Sequence, residues 1–216
     1  MRVITGEAKG RRLKGPPGPK TRPMADKIKE AVFSALEALG VDAGRVLDLY
    51  AGTGAVGIEA LSRGADRCDF VDNQAAACAV VRDNLAHTKL ASKAEVHQLP
   101  VTVFLSRRAQ PYDLIFVDPP YADPDIFPTL ERLSTSSFVL PGTVVVLGHA
   151  PTVDVPERVG ALTLLKERCH GGSCFAIFEV AEADASAGGA EKDDSSTVGA
   201  GRDDGAPDVP SGEAGA

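Results

Sequence analysis

Arg45-Val46-Leu47-Asp48-Leu49-Tyr50 runs straight into Ala51-Gly52-Thr53-Gly54-Ala55-Val56-Gly57, and the reading of this junction decides the fold. A short apolar run of valine and leucine is a buried strand. Closely spaced glycines then turn the backbone and let a helix start close to the sheet. That helix carries Ile58, Leu61 and Ser62 and ends at Gly64. The same alternation repeats towards the carboxyl terminus: a strand at 68–71 ending in Asp72-Asn73, a helix over 75–88, a strand near 94–97, a helix around 101–107, a strand over 112–117, a helix over 126–133 and a strand over 142–147. Segments 162–165 and 175–180 flank a Gly171-Gly172 turn and read as an antiparallel pair that closes the sheet. Towards the amino terminus, Ile28, Val32, Phe33, Leu36 and Leu39 form one stripe of a helix from about Ala25 to Gly40. Strands alternating with helices give an α/β fold, a Rossmann-like doubly wound sheet with a mostly parallel core.

The 216 residues suffice for one substantial core, and no run of about 18 apolar residues is present to form a membrane-spanning helix. Met1-Arg2-Val3-Ile4-Thr5-Gly6 lacks the apolar centre of a secretion signal, so a cytoplasmic location is expected. The net charge of -7 conceals a strong segregation. Residues 1–29 hold nine bases (Arg2, Lys9, Arg11, Arg12, Lys14, Lys20, Arg22, Lys27 and Lys29) against Glu7 and Asp26. Residues 181–216 hold nine acids against Lys192 and Arg202. Three regions follow: a basic hairpin or extended arm at 1–22, turning near Ala8-Lys9-Gly10 and broken by Gly15-Pro16-Pro17-Gly18-Pro19; an α/β domain at 23–180; and a disordered acidic tail at 181–216. The clustered cations predict phosphate contacts with a polyanion, in competition with a merely solvated charged loop. Cys68, Cys78, Cys169 and Cys174 show no metal-site spacing and are expected to be reduced, mostly buried thiols, with no metal bound.

The chemistry centres on Asp118-Pro119-Pro120-Tyr121, where two prolines halt the strand at its carboxyl edge. Ligands of open α/β sheets bind along that edge. The Asp118 side chain and the Pro119 carbonyl offer two acceptors for the hydrogens of an exocyclic amine, while Tyr121 offers a ring for a flat base. An amine conjugated to a base is a poor nucleophile, so its partner must be a strong electrophile. Read alone, the four residues also suit a plain strand end. Gly52-Thr53-Gly54-Ala55-Val56-Gly57 with Asp72 twenty residues beyond Gly52 matches a dinucleotide fingerprint, which brings a nicotinamide cofactor into consideration. Asp48 argues against it, because a carboxylate before the glycines repels a pyrophosphate but suits an ammonium. S-adenosylmethionine meets both demands, with its ribose hydroxyls on Asp72, its amino group near Asp48 and its sulfonium methyl as electrophile.

Three stretches carry a resemblance to a known family: Asp48 to Gly64, then Asp118 to Tyr121, and the opening Met1 to Gly6 with Gly10-Arg11-Arg12-Leu13. Together with Arg22-Pro23-Met24-Ala25-Asp26-Lys27-Ile28-Lys29-Glu30-Ala31-Val32-Phe33, they resemble the RsmD family of bacterial 16S ribosomal RNA guanine-N2 methyltransferases over about the first 180 residues. The resemblance implies an enzyme acting on 16S rRNA in an assembled or partly assembled 30S subunit; a monomer is expected. It implies amine binding by Asp118 and Pro119, base stacking by Tyr121, and a cofactor site of Asp48, Tyr50, Ala51, Gly52, Gly54, Asp72, Asn73 and Leu99. RNA contacts would fall to Arg2, Lys9, Arg11, Arg12, Lys14, Arg22 and Lys27. Met24 stands where the family has threonine, Lys29 where it has arginine, and Leu99-Pro100 where relatives often place a polar residue near the adenine. The expected reaction is direct in-line transfer with no covalent enzyme intermediate. Rival readings are an adenine-N6 methyltransferase on DNA or RNA and a non-catalytic RNA-binding or ribosome-assembly module.

Overall fold

The computed structural model describes residues 1–15, 26–107, 110–120 and 126–181. Arg22, Tyr121, the proline-rich break at 16–19 and the tail from 182 onward lie outside them. In chain order the elements are α1 (Asp26–Ala38), β1 (Arg45–Leu49), α2 (Ala55–Ser62), β2 (Arg67–Asp72), α3 (Ala75–Thr88), β3 (Ala94–Gln98), α4 (Val101–Phe104), β4 (Leu114–Val117), α5 (Ile126–Ser134), β5 (Val144–His149), β6 (Arg158–Val159), β7 (Leu162–His170) and β8 (Ser173–Val180). They build one eight-stranded sheet in the order β3-β2-β1-β4-β5-β8-β7-β6. The five strands from β3 to β5 are parallel, and β8, β7 and β6 add antiparallel pairs. The order reverses between β1 and β4, which opens a crevice at their carboxyl ends.

Side chains alternate across the sheet and so divide the core in two. Val46, Phe70, Phe116 and Val146 pack beneath α1, α2 and α3, whereas Leu47, Val71, Ile115 and Val145 face α4 and α5. Phe33 of α1 meets Phe116 with ring centroids 5.7 Å apart. Each such side chain, fully buried, contributes about 1.5–3 kcal/mol. Gly57 sets how closely α2 can approach: a Cβ there would fall 2.5 Å from Phe70 Cε1 and 2.7 Å from Cys68 Sγ.

The amino-terminal segment is a hairpin, bridged at Arg2 and Arg12, as one of the two sequence readings had it. It is no free arm, because Val3, Ala8 and Leu13 are core residues of the α1–α3 face. Residues 1–183 form one compact unit. Lys29, counted above among the phosphate-seeking cations, needs correction. It is fully buried, its Nζ donates to the Arg2 carbonyl at 2.7 Å and lies 3.2 Å from Glu59 Oε2. A lysine on the inward stripe of a helix is drawn to a buried carboxylate, not to RNA.

The cysteine reading is corrected in part. Cys68 and Cys78 are free and buried, but Cys169 and Cys174 form a disulfide. The β7–β8 register sets the two directly opposite, with Cα atoms 4.0 Å apart. A spacing of five residues in sequence hides that pairing unless the hairpin register is known.

Candidate active site

Three carboxylates converge at the crevice. Asp48 in β1 and Asp72 at the end of β2 point to the α1–α3 face by the same alternation that places Val46 and Phe70 there. Asp118 follows β4, and its carboxylate lies against Gly148 of β5. A Cβ at position 148 would sit 2.2 Å from Asp118 Oδ1, so glycine is the residue that leaves room. The reading of the sequence missed this role, because its fifth strand stopped at Leu147. The available signal was a glycine inside a strand, which marks close approach of another group.

Backbone N–H groups orient two of the acids. Asp48 Oδ2 accepts from Gly57 N at 3.0 Å, tying β1 to the first turns of α2. Asp72 Oδ2 accepts from Gly52 N at 2.9 Å and its Oδ1 from Gln74 N at 2.8 Å, bracing the glycine loop and the start of α3. Each Asp72 oxygen keeps lone-pair capacity for a ligand hydroxyl. Among the described residues, no lysine or arginine pairs with Asp48, Asp72 or Asp118, and the Asp118 carboxylate accepts no hydrogen bond. Burial pushes the Asp48 carboxyl well above the usual range, the Gly57 N–H opposes this, and Asp118 and Asp72 add to the rise. Burial likewise raises Asp118 to about 6.

Asp69, on the opposite face of β2, shows the contrast. It accepts from the Tyr112 hydroxyl at 2.6 Å and lies 3.3 Å from Arg67 Nε and 3.5 Å from Arg45 Nη2. Asp69 is satisfied within the protein, whereas the crevice acids have capacity left for a ligand bearing a cation and hydroxyls.

The loop between them is conformationally unusual. Tyr50 has φ 60° and Gly52 φ 55°, and a tyrosine in the left-handed region is uncommon outside functional sites. Ala51 N donates to the Val71 carbonyl at 3.0 Å and Gly54 N to the Ala51 carbonyl at 2.7 Å, holding the loop beside β2. Leu99 N bonds the Asp72 carbonyl at 3.0 Å, and the half-buried Leu99 side chain packs on the α4–α5 face. Asn73 is exposed at the rim, and Pro119 is buried beside Asp118.

Among the predicted RNA contacts, Arg2, Lys9, Arg12 and Lys27 are exposed. Lys14 pairs with Asp83 at 2.7 Å, and Arg11 donates to the His87 carbonyl at 2.6 Å, so these two also fasten the hairpin to α3.

Fold and crevice together define a doubly wound α/β protein of the methyltransferase class. The family model described as Conserved hypothetical protein 95 matches residues 1–179. The chain is 37% identical over 182 residues to a Bacillus subtilis protein named "Putative rRNA methyltransferase YlbH", covering 83% of this chain and 98% of that one. It is 29% identical over 179 residues to ribosomal RNA small subunit methyltransferase D of Escherichia coli, covering 83% and 89%. The solved structure of "Putative methyltransferase yhhF" from Escherichia coli superposes with a TM-score of 0.74 at 29% identity, covering 84% of this chain and 98% of that one. The chain belongs to the RsmD family.

Proposed function

We propose that this protein methylates the exocyclic N2 amine of a guanine in 16S rRNA of the small ribosomal subunit, using S-adenosylmethionine. The observation that carries the reading is the placement of Asp118 and Pro119 at the carboxyl end of β4, beside Asp48 and Asp72 across the switch point. The choice of ribosomal RNA rests on family membership and on the names of the relatives. When bound, S-adenosylmethionine supplies an electrophilic methyl carbon. The glycine loop with Asp48, Asp72, Tyr50, Asn73 and Leu99 would hold it, and the unpaired acids suit its cationic amino-acid end and its ribose.

Asp118 and the Pro119 carbonyl accept the two amine hydrogens, which turns the nitrogen lone pair out of conjugation, while Tyr121 stacks on the base. Asp118 acts as an acceptor, so ionisation is its working state. The guanine must be unpaired or flipped to reach this edge. Lys9 and Arg12, exposed and free of ion pairs among the described residues, grip flanking phosphates.

Ribosomal RNA from a strain lacking the gene, digested to nucleosides, should lack N2-methylguanosine at one site and regain it on incubation with the protein and S-adenosylmethionine. Loss of N6-methyladenosine instead would establish the rival base, and no change would remove the enzyme reading. Deleting the hairpin is a poor test of RNA contact, since it removes core residues. Lys9→Glu with Arg12→Glu is expected to weaken RNA binding and to flatten its dependence on log salt by roughly two, with the melting temperature unchanged. An unaltered slope would take those cations out of the interface. Gly148→Ala is expected to lower turnover about 10²-fold by displacing Asp118; wild-type turnover would show that Asp118 does not act from its place against β5.

A further inference from the structure

Asn84 lies on α3, outside both the glycine loop and the hairpin, and is 1% exposed. Its Oδ1 accepts from Lys14 N at 2.8 Å, and its Nδ2 donates to the Lys14 carbonyl at 3.2 Å and to the Thr53 carbonyl at 2.9 Å. One amide thus uses both ends to clamp the last residue of the hairpin and the middle residue of the Gly52-Thr53-Gly54 turn. The Thr53 hydroxyl makes a second link, donating to Met1 Sδ at 3.6 Å, while the Met1 carbonyl accepts from Leu13 N inside the hairpin. The other end of α2 is tied to the same hairpin. Ser62 Oγ accepts from Ala8 N at 2.9 Å and donates to the Thr5 carbonyl at 2.6 Å, and Glu59 accepts from Ile4 N and Thr5 N. The loop that would receive the cofactor is therefore held by the element that would receive the RNA.

We propose that Asn84 is a positioning residue that couples the seating of the hairpin to the shape of the glycine loop, so that RNA on the hairpin and cofactor in the loop each raise the affinity for the other. This rests on the function proposed above. A ligand that orders one end of the clamp lowers the ordering cost at the other, and the linkage is reciprocal. Aspartate at position 84 would keep the acceptor for Lys14 N but set a carboxylate against two carbonyls, which severs the link to Thr53 without changing side-chain size.

Calorimetry with S-adenosylhomocysteine, alone and with saturating unmethylated 16S rRNA, reads the coupling directly. Wild type should bind at least about fivefold more tightly with RNA, and Asn84→Asp should bring the ratio close to one; a variant that merely loses stability would keep the ratio. Hydrogen exchange on the wild type serves as the second arm should the variant fold poorly: S-adenosylhomocysteine alone should slow exchange at the amides of Val3, Gly10 and Leu13. A wild-type ratio of one with unchanged hairpin exchange overturns the coupling and leaves the methylation reading intact. A wild-type ratio retained in Asn84→Asp overturns the role of Asn84. Absence of S-adenosylhomocysteine binding with and without RNA overturns the methylation reading and this inference together.

Discussion

Replacing Asp118 with alanine is expected to reduce methyl transfer by at least about 10²-fold, the scale on which loss of positioning at a reacting centre costs rate, while cofactor affinity stays within a few-fold of wild type. On the function proposed above, the amine would lose one of its two acceptors, but Asp72 and Asp48 would keep their bonds to Gly52 and Gly57. Equal losses of turnover and of cofactor binding would place Asp118 in the cofactor site instead. The same residue gives a pH signature. Burial raises its carboxyl to about 6, and the ionised form is the acceptor, so kcat/KM should climb through pH 6 and level off above it. A flat profile between pH 5 and 7 would remove Asp118 as the titrating acceptor.

Stability should move the other way. A carboxyl whose folded-state pKa is raised binds its proton more tightly in the folded chain, so the folded state loses stability as pH climbs from the unfolded value near 4 to about 6. Asp118→Asn should then melt higher than wild type at pH 7.5. The gain lies below the ~3 kcal/mol that a rise of that size sets as a ceiling, because Asp118 is partly exposed and solvent screens its charge. A lower melting temperature would contradict the assignment of burial as the cause.

The second large effect lies far from the chemistry. Glu59 Oε2 accepts from Ile4 N at 2.8 Å and faces Lys29 Nζ, while Oε1 accepts from Thr5 N at 2.9 Å and from Arg63 Nε at 3.0 Å. Both side chains of the Lys29–Glu59 pair are 0% exposed. Glu59→Gln would leave the lysine charge buried and turn an amide N–H towards donors, at a cost of about 3–5 kcal/mol. For a domain of this size that is a fall in melting temperature of about 10 °C. Lys29→Met added to Glu59→Gln should recover part of the loss by removing the stranded charge. A single variant that melts like wild type would mean that the pair does not hold the hairpin to α2.

Much of this architecture was legible in the chain itself. The stripe in α1 and the helix over Ala75–Thr88 announce themselves by apolar spacing, and the strand that ends at Asp118 by its apolar run and the prolines after it. Edges were less legible: α4 ends at Phe104 and not near Arg107, and β7 runs on to His170 past the expected 165. β7 is an outer strand whose distal half alternates little and is exposed, so it lacks the apolar signal by which a buried strand is recognised. The three aspartates could be read as a set because each stands near the end of a strand-like run or just after it, and the parallel order then brings those strand ends together.

What the sequence by itself determined was local and periodic: which segments become strands and helices, that the core strands run parallel, and that Asp48, Asp72 and Asp118 stand at or near their carboxyl ends. Tertiary structure alone decided the partners of the buried polar groups. Lys29, Glu59 and Asn84 look like surface residues in the sequence, and Gly148 falls just past the expected fifth strand, until folding sets each against a group 27 to 70 residues away. Burial leaves such a group no water to bond, so it must find its partner through long-range packing, which no local pattern encodes.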